Sequence, residues 1–219
     1  MMRGLKRFFL SFKFLRLIYY KLNKSYKNFI DLNLTDNSIV IDLGANIGLI
    51  SQLLFDKYNC KLYSYEPNET AFNLLKKRFK KNKKVICIKA AVTNNNKDKR
   101  IYFHKLSEKD PIKYSVASSL IKKKDNLNIS NSKIIKTVTI KSVLKKFKKI
   151  DLIKIDIEGY EYRILDEIIK QKSKIKKVIC ELHGNPIYEK NKFLNKEYIK
   201  LVSKLKRKKL YNKWFIEHY

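Results

Sequence analysis

Four carboxylates and one histidine stand out because each closes or follows an apolar run. Asp42 ends SIVID, Glu66 ends CKLYSYE, Asp156 and Glu158 follow DLIKI, and His183 follows KVICEL. A carboxylate or imidazole held beside a hydroxyl can take its proton, a step worth about 10²–10⁴-fold in a group transfer. His183, with an ordinary pKa of about 6.5, is one candidate base. Asp156 is the other, although Lys154 two residues before it would hold it ionised and weaken it. Glu158 would orient the acceptor. Plainer readings stand beside these: a structural histidine, and a Lys154–Asp156 ion pair that serves only the fold. Asp156, Glu158 and His183 could also ligate a divalent metal, but no Cys/His framework is present and no metal is expected.

A second constellation could hold a small molecule. Asp42-Leu-Gly44-Ala45-Asn46-Ile-Gly48 places two of the chain's five glycines four residues apart behind an acid. Glycine lets backbone amides approach a ligand, and a helix starting near Ile47 would favour an anionic group at its N-terminus. The dinucleotide pattern GxGxxG fails here. A plain tight turn is the alternative. Glu66 could accept hydrogen bonds from the two ribose hydroxyls of an adenosine, whichever cofactor carries it. Asn68 suits the cap of the next helix. Ala90 and Ala91 would leave room for a flat ring.

These residues need strands and helices to place them. From Ser38 the chain alternates: SIVIDL, CKLYSYE, KVICIKAAV, IDLIKID and KVICEL read as buried strands, with helices at about 47–58, 69–81, 159–170 and 189–206 between or after them. LYNKWFIEHY could add a last strand. Strands apolar on both faces, joined by helices, predict an α/β, doubly wound, mostly parallel sheet, whose ligands lie beyond the carboxyl ends of the strands. Residues 93–147 break the rhythm and read as an insertion that either shapes a pocket or forms a surface loop. Residues 1–37 read as an N-terminal segment bearing an amphipathic helix, and 38–219 as the main domain.

Composition narrows the partners. Lys and Arg total 51 against 20 acids, a net charge of +31. Lys is spread along the whole chain rather than gathered on one face, so nucleic acid is not the expected partner. The basic, amphipathic residues 1–24 could cap the core or touch an anionic membrane surface. Cys60, Cys87 and Cys180 form no CxxC pair and read as core thiols, which suggests a cytoplasmic location, with a peripheral membrane contact as the alternative.

The acid two residues before Gly44 is similar to loops that hold S-adenosylmethionine. With VIDLGANIG, YEPN, AAV, ASSL, DLIKIDIEGYEYRIL and ELHG in that order, the chain resembles the FkbM-type methyltransferases. The resemblance implies a Rossmann-like seven-strand sheet of the class I methyltransferase type and O-methylation of a small-molecule or glycan acceptor, on a sugar hydroxyl of a glycan, glycolipid or secondary metabolite. The alternatives are an RNA methyltransferase, which the charge favours, and a non-catalytic module that binds a polyanion or membrane surface. It implies that Asp42, Gly44, Asn46, Gly48 and Glu66 hold the cofactor, with Ala45, Asn68, Ala91 and Asp156 completing the contacts. Asp156, Glu158 and His183 would face the transfer site. The acidic stretch common in that family before the fourth strand is replaced by TIKSVLKKF.

Overall fold

The computed structural model describes residues 24–187, 190–210 and 215–218, together with Lys13, Leu17 and Lys21. The expected N-terminal amphipathic helix lies outside the described residues, apart from those last three. Leu17 packs against the core. Among the described residues no helix is long and apolar enough to cross a membrane.

In chain order the strands are β1 (Ile39–Leu43), β2 (Lys61–Tyr65), β3 (Val85–Ile88), β4 (Ala91–Thr93), β5 (Lys99–His104), β6 (Leu127–Ile135), β7 (Thr137–Thr139), β8 (Ile150–Ile155), β9 (Ile175–Leu182) and β10 (Phe215–His218). The helices are α1 (Leu49–Tyr58), α2 (Glu69–Arg78), α3 (Ile140–Lys145), α4 (Glu161–Lys170) and α5 (Lys192–Arg207). Six strands form the main sheet in the order β10-β9-β8-β1-β2-β3. Every neighbouring pair in it is parallel. The chain starts at the centre and winds both ways, so the switch point lies between β1 and β8, where a ligand is expected.

Alternation along each strand sorts the core onto two faces. Val40, Leu62, Leu152 and Ile179 pack with Leu53, Leu54, Leu75 and Phe79 of α1, α2 and the turn after it. Ile41, Leu43, Ile153 and Ile155 pack with Val143, Leu144, Ile164 and Leu165 of α3 and α4. Full burial of each such side chain contributes about 1.5–3 kcal/mol, which is why these runs tolerate no polar residue without a partner.

Two expectations need correction. The main sheet has six strands among the described residues, not seven. KVICIKAAV is also not one strand. It breaks at Lys89–Ala90, where the Ala90 amide turns back to the Ile88 carbonyl. β4 then leaves the sheet and pairs in parallel with β7. The insertion that follows carries an antiparallel pair, β5 with β6. An unbroken apolar run shows burial but not which sheet buries it.

Candidate active site

Two cavities of about 330 and 350 Å³ open above the carboxyl ends of the strands. Gly44, Asn46, Val116, Asp156 and Glu181 line both, so together they form one trough across the tops of β1, β8 and β9. Tyr65, Glu66, Ala90 and Ala91 line the first end, and Ala45, Leu49 and Ile50 the second.

The floor is a joint between two strand ends. Gly44 has φ +76°, and a Cβ on it would lie 1.8 Å from the Asp156 carbonyl oxygen. The Asp156 amide donates to the Leu43 carbonyl at 3.1 Å. Lys154 Nζ donates to the Gly44 carbonyl at 2.7 Å. It also sits 3.4 Å from Asp42 and 3.3 Å from Asp156. Burial opposes its charge, but Asp42, Asp156 and Glu181 outweigh that and push its pKa up, so it stays an ammonium.

Asp42 lies beneath this floor. It is 0% exposed and lines neither cavity. β1 and β8 are in register at Asp42 and Lys154, and Ser51 Oγ donates to Asp42 at 2.6 Å. It therefore pairs with Lys154 and fixes α1 through Ser51, beneath the trough rather than in its wall. The loop amides are also spoken for. Gly44 and Ala45 both donate to the Tyr65 carbonyl at 3.0 Å, and Asn46 donates to Glu66 at 2.7 Å. The amides without an acceptor among the described residues come one step later, at Leu49 and Ile50, where no side chain caps α1. They and the helix dipole leave a place for an anionic group. Gly48 packs against Leu75 and Phe79, and Asn68 caps α2; neither lines the trough.

Glu66 does line it. Each carboxylate oxygen accepts one amide, from Asn46 and from Asn68, both at 2.7 Å. Burial nevertheless raises its pKa to about 7 against those two hydrogen bonds. Tyr65, whose buried hydroxyl has no partner among the described residues, lines the same cavity.

His183 stands beside the trough, next to Glu158 and Glu181. It lines neither cavity. β9 ends at Leu182, so strand alternation no longer governs His183, which turns toward α4. Nδ1 lies 3.3 Å from Glu161 and Nε2 3.3 Å from Glu158. Burial opposes the charge, yet Glu161 and Glu158 raise the imidazole pKa well above its usual range. That shift favours the imidazolium, which would brace the two carboxylates and weaken His183 as a base. Asp156, Glu158 and His183 come within 4.8 Å of one another. Lys124 Nζ lies 2.5 Å from Glu158 in the same cluster.

Besides Glu66, the acids lining the trough are Asp156, Glu158 and Glu181. Burial raises the Asp156 pKa, with Lys154 opposing and Glu158 adding to the rise. Burial, then Asp156, pushes Glu181 up to about 8. For Glu158 burial is outweighed by His183 and Lys124, and its pKa falls. Sequence reasoning did not assign Glu181 to the site; its place two residues before His183, at the end of β9, was the available signal.

The insertion roofs the trough. Asn46 Nδ2 donates to Ser115, Asn68 Nδ2 to Ser118, and Ser119 to the Glu158 carbonyl, at 2.9, 3.1 and 2.5 Å. Three serines of one segment thus pin the loops after β1, β2 and β8. Two of the residues around them, Asn46 and Glu158, have φ of +49° and +57°. Each such non-glycine conformation costs about 1–2 kcal/mol and persists only because neighbours hold it.

Glu66, Asp156, Glu158 and Glu181 line the trough, and among the described residues the cationic groups beside them are Lys124, Lys154 and the imidazole of His183. An acid-rich hollow in a chain of net charge +31 fits a cationic ligand. No curated protein matches the chain. The methyltransferase FkbM domain matches residues 42–211, from the buried Asp42 past the end of α5. That span holds every wall of the trough except the N-terminal Tyr26 and Phe29, and the chain belongs to this family of S-adenosylmethionine-dependent methyltransferases.

Proposed function

We propose that this methyltransferase acts on a hydroxyl of a sugar-bearing acceptor. The supporting observation is the trio Asp156, Glu158 and Glu181 along one trough. Carboxyl groups, with Glu158 favoured as the carboxylate and Asp156 and Glu181 shifted toward the protonated form, accept hydrogen bonds, and a sugar offers neighbouring hydroxyl donors. An acidic reacting group would be repelled there.

S-adenosylmethionine supplies an electrophilic methyl group on a sulfonium that carries positive charge. The residues present fit it. Glu66 and Tyr65 offer an acceptor and an unpartnered hydroxyl at the adenosine end, with Ala90 and Ala91 as flat walls. The Leu49 and Ile50 amides suit the carboxylate of its amino-acid end. Asp156, its side chain 30% exposed at the junction of the two cavities, would take the acceptor proton as the methyl group passes from sulfur, which departs as a neutral thioether, to the acceptor oxygen. Lys154 and Lys124 keep Asp156 and Glu158 in place. The test is transfer of labelled methyl to a panel of glycosides, nucleotide-linked sugars, amines and RNA. Label in a base-stable sugar ether is expected; label confined to amines or RNA would overturn the reading.

Glu66 gives a separate prediction. Hydrogen bonds to a charged group contribute about 1.5–3 kcal/mol, so Glu66→Gln should weaken S-adenosylmethionine binding roughly 10- to 100-fold. In the unaltered protein affinity should rise from about pH 5.5 to about 7.5 as Glu66 ionises, and the rise should flatten in Glu66→Gln. Calorimetry reads both. The ligand-free fold follows the opposite sign. A raised folded-state pKa favours the protonated form, so the stabilisation is full below the ordinary 4.5 and is lost as pH passes about 7.

A further inference from the structure

Beside the trough lies an open hollow of about 500 Å³ walled by Lys105, Lys122, Lys123 and Lys124. Exposed lysines alone would mean little in a chain with 51 basic residues. Lys124 is different: it is 8% exposed, and it runs from this hollow to Glu158 in the transfer trough, 2.5 Å away. The other three are exposed, and none has a carboxylate within 4 Å among the described residues. Their backbone is held in place. Asn191 donates to the Lys123 carbonyl, and the Lys105 amide donates to the Asn126 carbonyl at 3.0 Å. The Lys123 ammonium lies 5.2 Å from the Phe193 ring centroid. Asp125 is the one acid in the wall.

We infer that this hollow is a phosphate subsite for the acceptor, so that the substrate is a sugar carrying a phosphate or diphosphate. The inference rests on the sugar-hydroxyl reading above. The two halves of the site then have opposite charge: acids where the cationic cofactor and the sugar hydroxyls meet, lysines where the acceptor's anionic group sits. Lys124 divides them and keeps the phosphate from the carboxylates. Lysines act here as point charges that suit a compact tetrahedral oxyanion, and three unpaired ones meet it without breaking an existing ion pair.

The test compares two variants of the full chain with equal loss of charge. One replaces Lys105, Lys122 and Lys123 by Ser. The other replaces Lys77, Lys80 and Lys81, which are exposed at the far end of α2. Pyrophosphate binding, read by calorimetry with S-adenosylhomocysteine present, should weaken by roughly tenfold or more in the first and less than about twofold in the second. Vesicles of phosphatidylglycerol form a second arm. Loss of vesicle binding together with pyrophosphate in the first variant puts the phosphate on a lipid-linked sugar; loss of pyrophosphate alone puts it on a soluble one. Equal weakening of pyrophosphate in both variants overturns the subsite, because the effect would then be bulk charge. S-adenosylmethionine affinity is measured alongside. Failure of the unaltered chain to methylate any sugar would remove the acceptor class while leaving the pyrophosphate result to stand or fall separately.

Discussion

Asp156→Asn should lower the turnover of methyl transfer by about 10²–10⁴-fold while changing S-adenosylmethionine affinity by less than about tenfold. The asymmetry follows from where the residue sits. Its side chain opens to both cavities, yet Glu66 and the first-turn amides of α1, which suit the cofactor's ends, do not depend on it. Asparagine keeps the shape and can still meet Lys154, which retains Asp42 and the Gly44 carbonyl. What it cannot do is accept a proton. A positioning role would give a different pattern. Replacing a merely structural Asp156 should raise KM and lower thermal stability, and the rate should keep its dependence on pH. As a base, Asp156 must be ionised, so turnover in the unaltered protein should rise with pH. Its pKa is raised by burial, and its neighbour Glu181 is held up at about 8, so that rise extends toward neutral pH. In Asp156→Asn the rise should disappear. An unchanged turnover would remove Asp156 from the chemistry. The corresponding His183 variant should keep the pH profile, because a protonated imidazole wedged between Glu158 and Glu161 contributes no base to lose.

How much of this was legible beforehand depends on which distances the sequence encodes. The alternation of apolar runs and helices is local, and it located β1, β2, β8, β9 and β10 and the helices between them to within a few residues. The strand-end acids are likewise found at the carboxyl end of the sheet. Register between strands is not local. Nothing in IDLGANIG shows that Asp42 pairs across to Lys154 and beside Ser64, and that pairing is what sets it beneath the trough. His183 shows the same limit: β9 stops one residue earlier, and its Nε2, 3.9 Å from Glu181, also lies 3.3 Å from Glu158, a partner that nothing local predicts. The insertion was the least legible part. Ser115, Ser118 and Ser119 look like any polar loop, and their importance lies in partners 69, 50 and 39 residues away. Lys124, lost among many lysines, shows its role only through Glu158.

Gly44→Ala should be the most damaging single substitution in the floor, and comparison with Gly159→Ala shows why. Both glycines adopt a left-handed backbone, with φ +76° and +99°, so alanine at either carries a conformational cost of about 1–2 kcal/mol. At Gly159 the added Cβ meets only side-chain atoms, the end of Leu194 at 3.3 Å and Ile121 at 3.5 Å, and these can shift. At Gly44 it would meet the Asp156 carbonyl oxygen at 1.8 Å and the carbonyl carbon at 2.9 Å, and both are backbone. The ends of β1 and β8 must therefore separate. That breaks the Asp156 amide from the Leu43 carbonyl, pulls Lys154 off the Gly44 carbonyl and leaves the buried Asp42 with a weakened cation. Losses of this kind reach about 3 kcal/mol or more, and in a chain of this size each kcal/mol moves Tm by about 2–4 °C. Thermal melts should thus show Gly44→Ala lower by about 6–12 °C or more, against roughly 2–8 °C for Gly159→Ala. Whatever folded Gly44→Ala survives should fail to bind S-adenosylmethionine, since the trough spans the joint that has opened. Equal melting of the two variants, with binding intact in both, would mean that β1 and β8 can part without cost. The two cavities would then not share a rigid floor.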